Sequence, residues 1–505
     1  MRPLITPAQM RDMEQRYFAE TGTSSIDLME VAARALVVSI ARRYKLDKLV
    51  GFACGPGGNG GDGYACARMY AKIGGRCALF PSEPPRTPDA IRNRERALEM
   101  GIPELRLEDL GASPDIWVDA LYGTGLSHAP EGYAAELIER MNADRARGSA
   151  VVAADIPSGL NGRSGAAYTP CVKADCTVTF QFEKTGHALA DGPEVCGEIE
   201  VDDIGIPEAF FPAGMAALVE PGDVTAALPK KPRNAHKGMN GRLLIVAGSV
   251  GMAGAAALCA QSALRSGVGL VTLACPTSLI PIVQTLAPCA RALPLPKRDG
   301  AIAPEAVKAL TPALASADAV VCGCGLSRRA APEVLRLILQ SDVPVLLDAD
   351  GLNLIAEHAD LKALLQPHHL ITPHPGEAAR LLGRRLEDPL EDAPALRALG
   401  CAALLKGATT LIPTEDRVLL SASGGPGMAK GGSGDALSGL AGGLMAQCAA
   451  AGTPMTGDAL ALCAAVASEI HGRAGELAQA RKGVRGMCAA DLVEAMPEAL
   501  MEYEA

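Results

Sequence analysis

Short apolar runs that end in glycine-rich turns, each followed by a stretch with helical spacing, recur along this chain and constrain its fold more than any other feature. LVGFACGPGG, IWVDALYGTG, AVVAADIPSG and CTVTFQF are separated by segments such as Asp62 to Ile73 and Tyr133 to Arg145. Runs that are apolar throughout are strands buried on both faces, so the pattern predicts parallel strands joined by crossover helices. Upstream, Thr6-Pro7-Ala8-Gln9 predicts a capped helix running to about Ala19. After Ser24, the residues Met29, Ala32, Ala33, Leu36, Val37 and Ile40 share one face of a second helix. Prolines without a period from Pro207 to Pro221, then the basic segment PKKPRNAHKGMNGR, set a boundary near residue 217. A second series follows: RLLIVAGS, GLVTLACP, AVVCGCG, PVLLDADG, HLITPHPGE, AALLKGATTLI and RVLLSASGG. The expected fold class is α/β with two doubly wound domains, residues 1–216 and 217–505.

Composition narrows the partners. Hydrophobic residues make up 49% of the 505 and charged residues 21%, enough apolar surface for two cores. The net charge is −10 and no block of five like charges occurs, which argues against a nucleic-acid surface. Asp12 and Glu14 interrupt the region where a signal peptide needs an apolar core, so the chain is read as intracellular and cytoplasmic. The uncharged stretches Leu243 to Leu264 and Ser266 to Ala290 are long enough to span a bilayer, but the glycines of one and the prolines of the other read as strand, turn and helix. No membrane partner is expected, and a homo-oligomer is allowed. The 15 cysteines are scattered without a C-x-x-C, which favours reduced thiols, and Cys322 and Cys324 read as core residues.

In the first half, the turn Gly55 to Gly63 can bring backbone N–H groups close to an anion at a helix N-terminus. Gly55 to Gly60 also satisfies G-x-G-x-x-G, with Glu83 near the distance of a ribose-binding acid, a weak match taken alone. Two further polar loops, VDALYGTGL and ADIPSGLNG, end strands at the edge where open α/β sheets place ligands. Asn59, Asp119 and Ser158 offer only oxygen ligands, which suits a hard cation, and leave Asp155 for proton transfer. GGNGGDGY, VDALYGTGL and DIPSGLNG together resemble the signature segments of the NAD(P)H-hydrate epimerases, over most of residues 1 to 215. That resemblance implies a Rossmann-like domain that interconverts the R and S epimers of NADHX and NADPHX at C6. It implies a potassium ion at Asn59, Asp119 and Ser158, with Asp155 catalytic. Implied substrate contacts are Gly58, Asn59, Gly60, Gly61 and Asp62, then Gly123, Thr124, Gly125, Leu126, Ser127, His128 and Ala129, and Asp155 itself. The family usually carries two adjacent asparagines where this chain has Gly58-Asn59, so one side-chain amide is missing.

The second half carries the sharpest motif, Gly427 to Gly439, reading GMAKGGSGDALSG. Gly432 to Gly434 can form a nest of backbone N–H groups for an anion, and Asp435 in the first helical turn can accept the proton of an attacking hydroxyl. There is no Walker loop, so phosphate handling rests on this segment and on Lys406-Gly407-Ala408-Thr409-Thr410. His374, held between two prolines, is read as a substrate contact, and Asp350 and Asn353 as the floor of the site. Seven segments in order, among them HKGMNGRLLIVAGS, LITPHPGE, LLKGATT and GMAKGGSGDALSG, resemble the ADP-dependent NAD(P)H-hydrate dehydratases of the ribokinase-like superfamily over residues 236 to 475. The resemblance implies Ala255, Gly325, His374 and Asp435 at the hydrate, Asp435 being catalytic. It places Lys406, Gly407, Ala408, Thr409, Thr410 and Gly434 at the nucleotide. ADP is the implied phosphoryl donor, with magnesium on its phosphates.

The chemistry of the two resemblances is coherent. Hydroxide leaves poorly and phosphate leaves well, so a kinase-like site can drive dehydration of the S-hydrate to NAD(P)H at the expense of a phosphoanhydride, giving AMP and phosphate. An attached epimerase feeds it the other epimer. The rival readings are a ribokinase-like small-molecule kinase that releases its phosphorylated product, a nicotinamide-dependent oxidoreductase using Gly55 to Gly60, and a non-catalytic nucleotide sensor.

Overall fold

In this computed structural model, which describes residues 1–504, the chain divides into two compact units, Pro3–Ala216 and Ala217–Ala505 with Met1–Arg2. In the first unit, α1 (Pro7–Thr21) starts at a capping box: the Thr6 hydroxyl accepts the Gln9 N–H, and Gln9 Oε1 accepts the Thr6 N–H. α2 (Ser25–Arg43) buries Leu28, Ala32, Ala33, Leu36 and Ile40 on one face. A wholly parallel sheet follows, of β1 (Leu49–Cys54), β2 (Arg76–Pro81), β3 (Ile116–Ala120), β4 (Ala150–Ala154), β5 (Cys176–Phe180) and β6 (Glu198–Asp202), in the order β2-β1-β3-β4-β5-β6. Strand order reverses between β1 and β3, where an open α/β sheet leaves its ligand crevice. The helix after β1, α3 (Gly58–Lys72), begins four residues before the expected Asp62, so the glycine-rich segment forms the first turn of the helix instead of a free loop, and α4 (Pro88–Glu99) and α5 (Gly132–Ala146) follow β2 and β3. This is possible because Gly60 is close enough to β1 that a Cβ would lie 1.8 Å from the Gly55 carbonyl oxygen.

The second unit carries a seven-stranded parallel sheet: β7 (Arg242–Val246), β8 (Leu270–Pro276), β9 (Arg291–Leu295), β10 (Ala319–Cys322), β11 (Val345–Leu347), β12 (His369–Ile371) and β13 (Ala402–Ala403). Its order is β9-β8-β7-β10-β11-β12-β13, and the reversal lies between β7 and β10. Two expected strands differ. AALLKGATTLI is split by the turn at Lys406 into β13 and a separate strand, Thr410–Pro413, and Val418–Ser421 pairs antiparallel with that strand outside the parallel sheet. A polar turn at a strand end permits that change of direction, which an apolar count along the run does not register. Around the sheet lie α6 (Ala253–Arg265), α7 (Pro375–Leu382), α8 (Ser433–Ala450) and α9 (Gly457–Lys482). Among the described residues, no helix is long and apolar enough to cross a membrane. Cys322 and Cys324 are buried in this unit's interior.

The position of α8 depends on small residues. A Cβ on Gly439 would lie 2.0 Å from the Cys259 carbonyl oxygen on α6, and one on Gly442 would lie 2.2 Å from Val321 Cγ2 on β10. Backbone cannot yield as a flexible side chain does, so Gly439→Ala is expected to destabilise the second unit by about 1–3 kcal/mol, read as a lowered Tm.

Candidate active sites

At the β1/β3 reversal the first unit holds a cavity of about 540 Å³. Pro56 to Asn59 and Asp62 form one wall, Leu121 to Leu126 another, and Asp155 and Lys184 the base, while α1 and α2 contribute Met10, Glu14, Leu28 and Met29. The expected residues separate here. Gly58, Asn59, Asp62, Gly123, Thr124, Gly125, Leu126 and Asp155 face the cavity. Gly60 and Gly61 pack behind it, against Gly55 and Met29. Ser127, His128 and Ala129 continue past its wall, with Ser127 and His128 exposed. Glu83 is exposed and ion-paired to Arg86, away from the wall.

Beneath the cavity, Asp119 at the end of β3 is fully buried. Its Oδ1 accepts the Ser158 hydroxyl at 2.6 Å and its Oδ2 accepts the Ser158 N–H at 2.7 Å. The Ser158 hydroxyl in turn accepts the Tyr122 N–H at 2.8 Å. Burial pushes the Asp119 carboxyl up to about 6, against the Ser158 donors that favour its charge. Asn59 lies beside Gly123, the residue after Tyr122, its Cγ 3.3 Å from where a Gly123 Cβ would be, and its Nδ2 is buried with no partner among the described residues.

The charge at the base was not legible as a motif. Lys184, fully buried, donates from Nζ to Asp155 Oδ1, to Thr179 Oγ1 at 2.9 Å and to the Phe180 carbonyl at 3.0 Å. Thr179 also donates to Asp155 Oδ1, at 2.9 Å. Asp155 itself takes a left-handed φ of +64°, a conformation that aspartate tolerates better than most residues and that turns its side chain into the crevice. Burial and the nearby Asp155 push the Glu14 carboxyl up to about 7, and burial holds Asp62 well above the carboxylate range. The available signal for Lys184 was its place just past β5, the neighbour of the strand that ends in Asp155; for Glu14 it was the four-residue spacing from Met10 on α1.

In the second unit, Gly432 (φ +98°) caps α8, and Asp435 stands in the first turn. Lys406 Nζ donates to Asp348 Oδ1 at 2.7 Å and lies 4.0 Å from Glu377 Oε2. The Ser438 hydroxyl on α8 donates to Asp348 Oδ2 at 2.7 Å. Burial works against the Lys406 charge, but Asp348 and Glu377 outweigh it and hold the ammonium above its usual range. A Cβ on Gly434 would lie 3.4 Å from Lys406 Nζ, which brings the lysine to the mouth of α8. Burial, with Asp348 adding to it, pushes Asp435 up to about 6. Gly325 meets Ala255, 2.9 Å from a Cβ position to the Ala255 methyl, at the β7/β10 reversal. His374 is half exposed and caps α7: its Nδ1 accepts the Gly376 N–H at 3.0 Å, and its Nε2 lies 3.6 Å from Glu377 Oε1. Asp350 accepts the Ser327 N–H at 2.8 Å, and Asn353 accepts Arg380 Nε at 3.0 Å. In the turn after Lys406, Gly407 and Ala408 are exposed while Thr409 and Thr410 are buried.

Two doubly wound units, each with an aspartate paired to a lysine just past the C-terminal ends of its parallel strands, define a protein with two candidate active sites. The family model for NAD(P)H-hydrate dehydratase matches residues 243–498, and that for the YjeF-related protein N-terminus matches residues 25–186. The bifunctional NAD(P)H-hydrate repair enzyme of Moorella thermoacetica is 36% identical over 99% of this chain and 97% of its own length. The enzyme of that name from Escherichia coli is 36% identical over 87% of this chain and 82% of its own length. A ribokinase-like superfamily protein from Enterococcus faecalis shares the fold over 57% of this chain and 97% of its own, with a TM-score of 0.50 at 22% identity. The chain belongs to the family of bifunctional NAD(P)H-hydrate repair enzymes.

Gly58, where the resemblance expects an asparagine, has open space at its Cβ position, with nothing within 4 Å. Gly58→Asn is therefore expected to leave stability within about 0.5 kcal/mol of the parent, checked by thermal unfolding.

Proposed function

We propose that residues 1–216 epimerise R- and S-NAD(P)HX and that residues 217–505 dehydrate S-NAD(P)HX to NAD(P)H, consuming ADP and releasing AMP and phosphate. The observation that carries this reading is Asp435, a carboxylate pushed up to about 6 in the first turn of α8, with Lys406 at the same helix mouth. A base there takes the proton of the C6 hydroxyl as that oxygen attacks the β-phosphorus of ADP. Lys406 and the N–H groups around Gly434 would face the transferring phosphoryl group; the N1 lone pair then expels the C6 oxygen as phosphate, and loss of a proton from C5 forms the C5=C6 bond of NAD(P)H. Ala255, Gly325 and His374 would seat the hydrate, and Gly407 to Thr410 the AMP portion. Magnesium would sit on the nucleotide phosphates and offset their charge.

In the first unit Asp155, held by Lys184 and Thr179, would move a proton at the C6 hydroxyl, and Gly58, Asn59, Asp62 and Gly123 to Leu126 would line the substrate. The oxygen-rich set of Asn59, Asp119 and Ser158, with one buried carboxylate and an unpartnered amide that a flip turns into an oxygen donor, fits a potassium ion. That ion would supply positive charge beside the bound substrate. A cytoplasmic location is part of the same reading.

Asp435→Asn is expected to lower ADP-dependent repair by about 10²–10⁴-fold while epimerisation persists, and Asp155→Asn is expected to do the reverse. Loss of both activities in either variant contradicts two independent sites. Because Asp435 must be ionised to accept a proton, the dehydratase rate should fall as pH drops through about 6; a rate flat from pH 5 to about 8 counts against Asp435 as the base.

A further inference from the structure

C6 of the hydrate carries both a hydroxyl and the ring nitrogen, so its configuration changes most directly by opening and reclosing the C6–N1 bond. A base removes the hydroxyl proton, the O–H electron pair forms C6=O, and the C6–N1 pair stays on N1, which must take up a proton. Rotation about C5–C6 presents the other face of the aldehyde. N1 then attacks it, returns its proton and gives the opposite epimer, with no atom gained or lost. The step therefore needs a proton acceptor at oxygen and a separate proton donor at nitrogen.

Asp155 already accepts hydrogen bonds from Lys184 and Thr179 and sits at the base of the cavity. α1 brings Glu14 into the lining of the same cavity, close enough to Asp155 and Lys184 to feel both charges. The Glu14 side chain is half-buried, and no side-chain hydrogen bond or ion pair ties it to any described residue. The charged groups around it are Arg11 on its own helix, Asp62 on α3, Asp89 on the helix Pro88–Glu99, and Asp155 and Lys184 at the strand ends.

We propose that Glu14 is the proton donor to the ring nitrogen in the epimerisation, acting opposite Asp155 as acceptor; this rests on the epimerase reading of the first unit. Burial and Asp155 place the Glu14 carboxyl at about 7, so it can give and retake a proton at neutral pH, whereas Asp62, held well above the carboxylate range, keeps its proton.

The test uses the full chain, with R-NADHX followed chromatographically and dehydration of S-NADHX measured in parallel. Glu14→Gln keeps the shape and removes the exchangeable proton. It should lower kcat/KM for epimerisation at least about 100-fold, leave the dehydratase rate unchanged, and abolish the loss of epimerase activity that the parent shows as pH rises through about 7. Glu14→Asp should retain that pH limb at a reduced rate. Epimerisation by Glu14→Gln within about twofold of the parent, or an unaltered pH limb, overturns the role of Glu14 alone. A parent protein that fails to interconvert the epimers overturns the epimerase reading, and the proposal with it.

Discussion

A buried ammonium next to an aspartate organises the C-terminal edge of each sheet. Lys184 is fully buried and Lys406 mostly so, and each is paired with an aspartate, Asp155 for one and Asp348 for the other. Breaking such a pair from one side costs about 3–5 kcal/mol, since the remaining charge is left in a poorly solvated place. The pairs do different work. Lys184 holds Asp155, a residue aimed at the cavity, through a left-handed backbone. Lys406 is held by Asp348, which also takes the Ser438 hydroxyl of α8, so one carboxylate ties the lysine to the helix that carries Asp435.

Close packing decides where these charges can act. α8 reaches Asp435 into its crevice because glycines let it lie directly on α6 and β10. α3 similarly begins early because Gly60 lies against the end of β1, which draws Asn59 down beside Gly123. In both units the glycine-rich segment is therefore a packing device, and the side chains between the glycines, Asn59 and Asp62 in one and Asp435 in the other, are the candidates for chemistry.

The parallel strands, the Thr6 cap and the apolar face of α2 were legible because each is a local pattern of burial or capping. Asp155, Asp119 and Asp435 were legible because they end strands or begin a helix at glycine-rich turns. Lys184 and Glu14 were not, since their meaning comes from a strand neighbour and from a helix that precedes the sheet by some thirty residues of sequence. Gly60 and Gly61 show what a signature segment leaves unread: it names its glycines and its side chains alike, while the fold also packs those two glycines against Gly55 and Met29. The split of AALLKGATTLI was hidden for a third reason, because both halves are apolar and only the turn at Lys406 divides them.

The most direct measurement follows the dihydronicotinamide absorbance after full-length protein is added to a mixture of both NADHX epimers with ADP, magnesium and potassium. An epimerase site and a separate dehydratase site on one chain predict recovery of NADH from the whole mixture, with AMP and phosphate formed in equal amounts. Recovery that stops when the S epimer is consumed, or a stable phosphorylated hydrate in place of NADH, would contradict it.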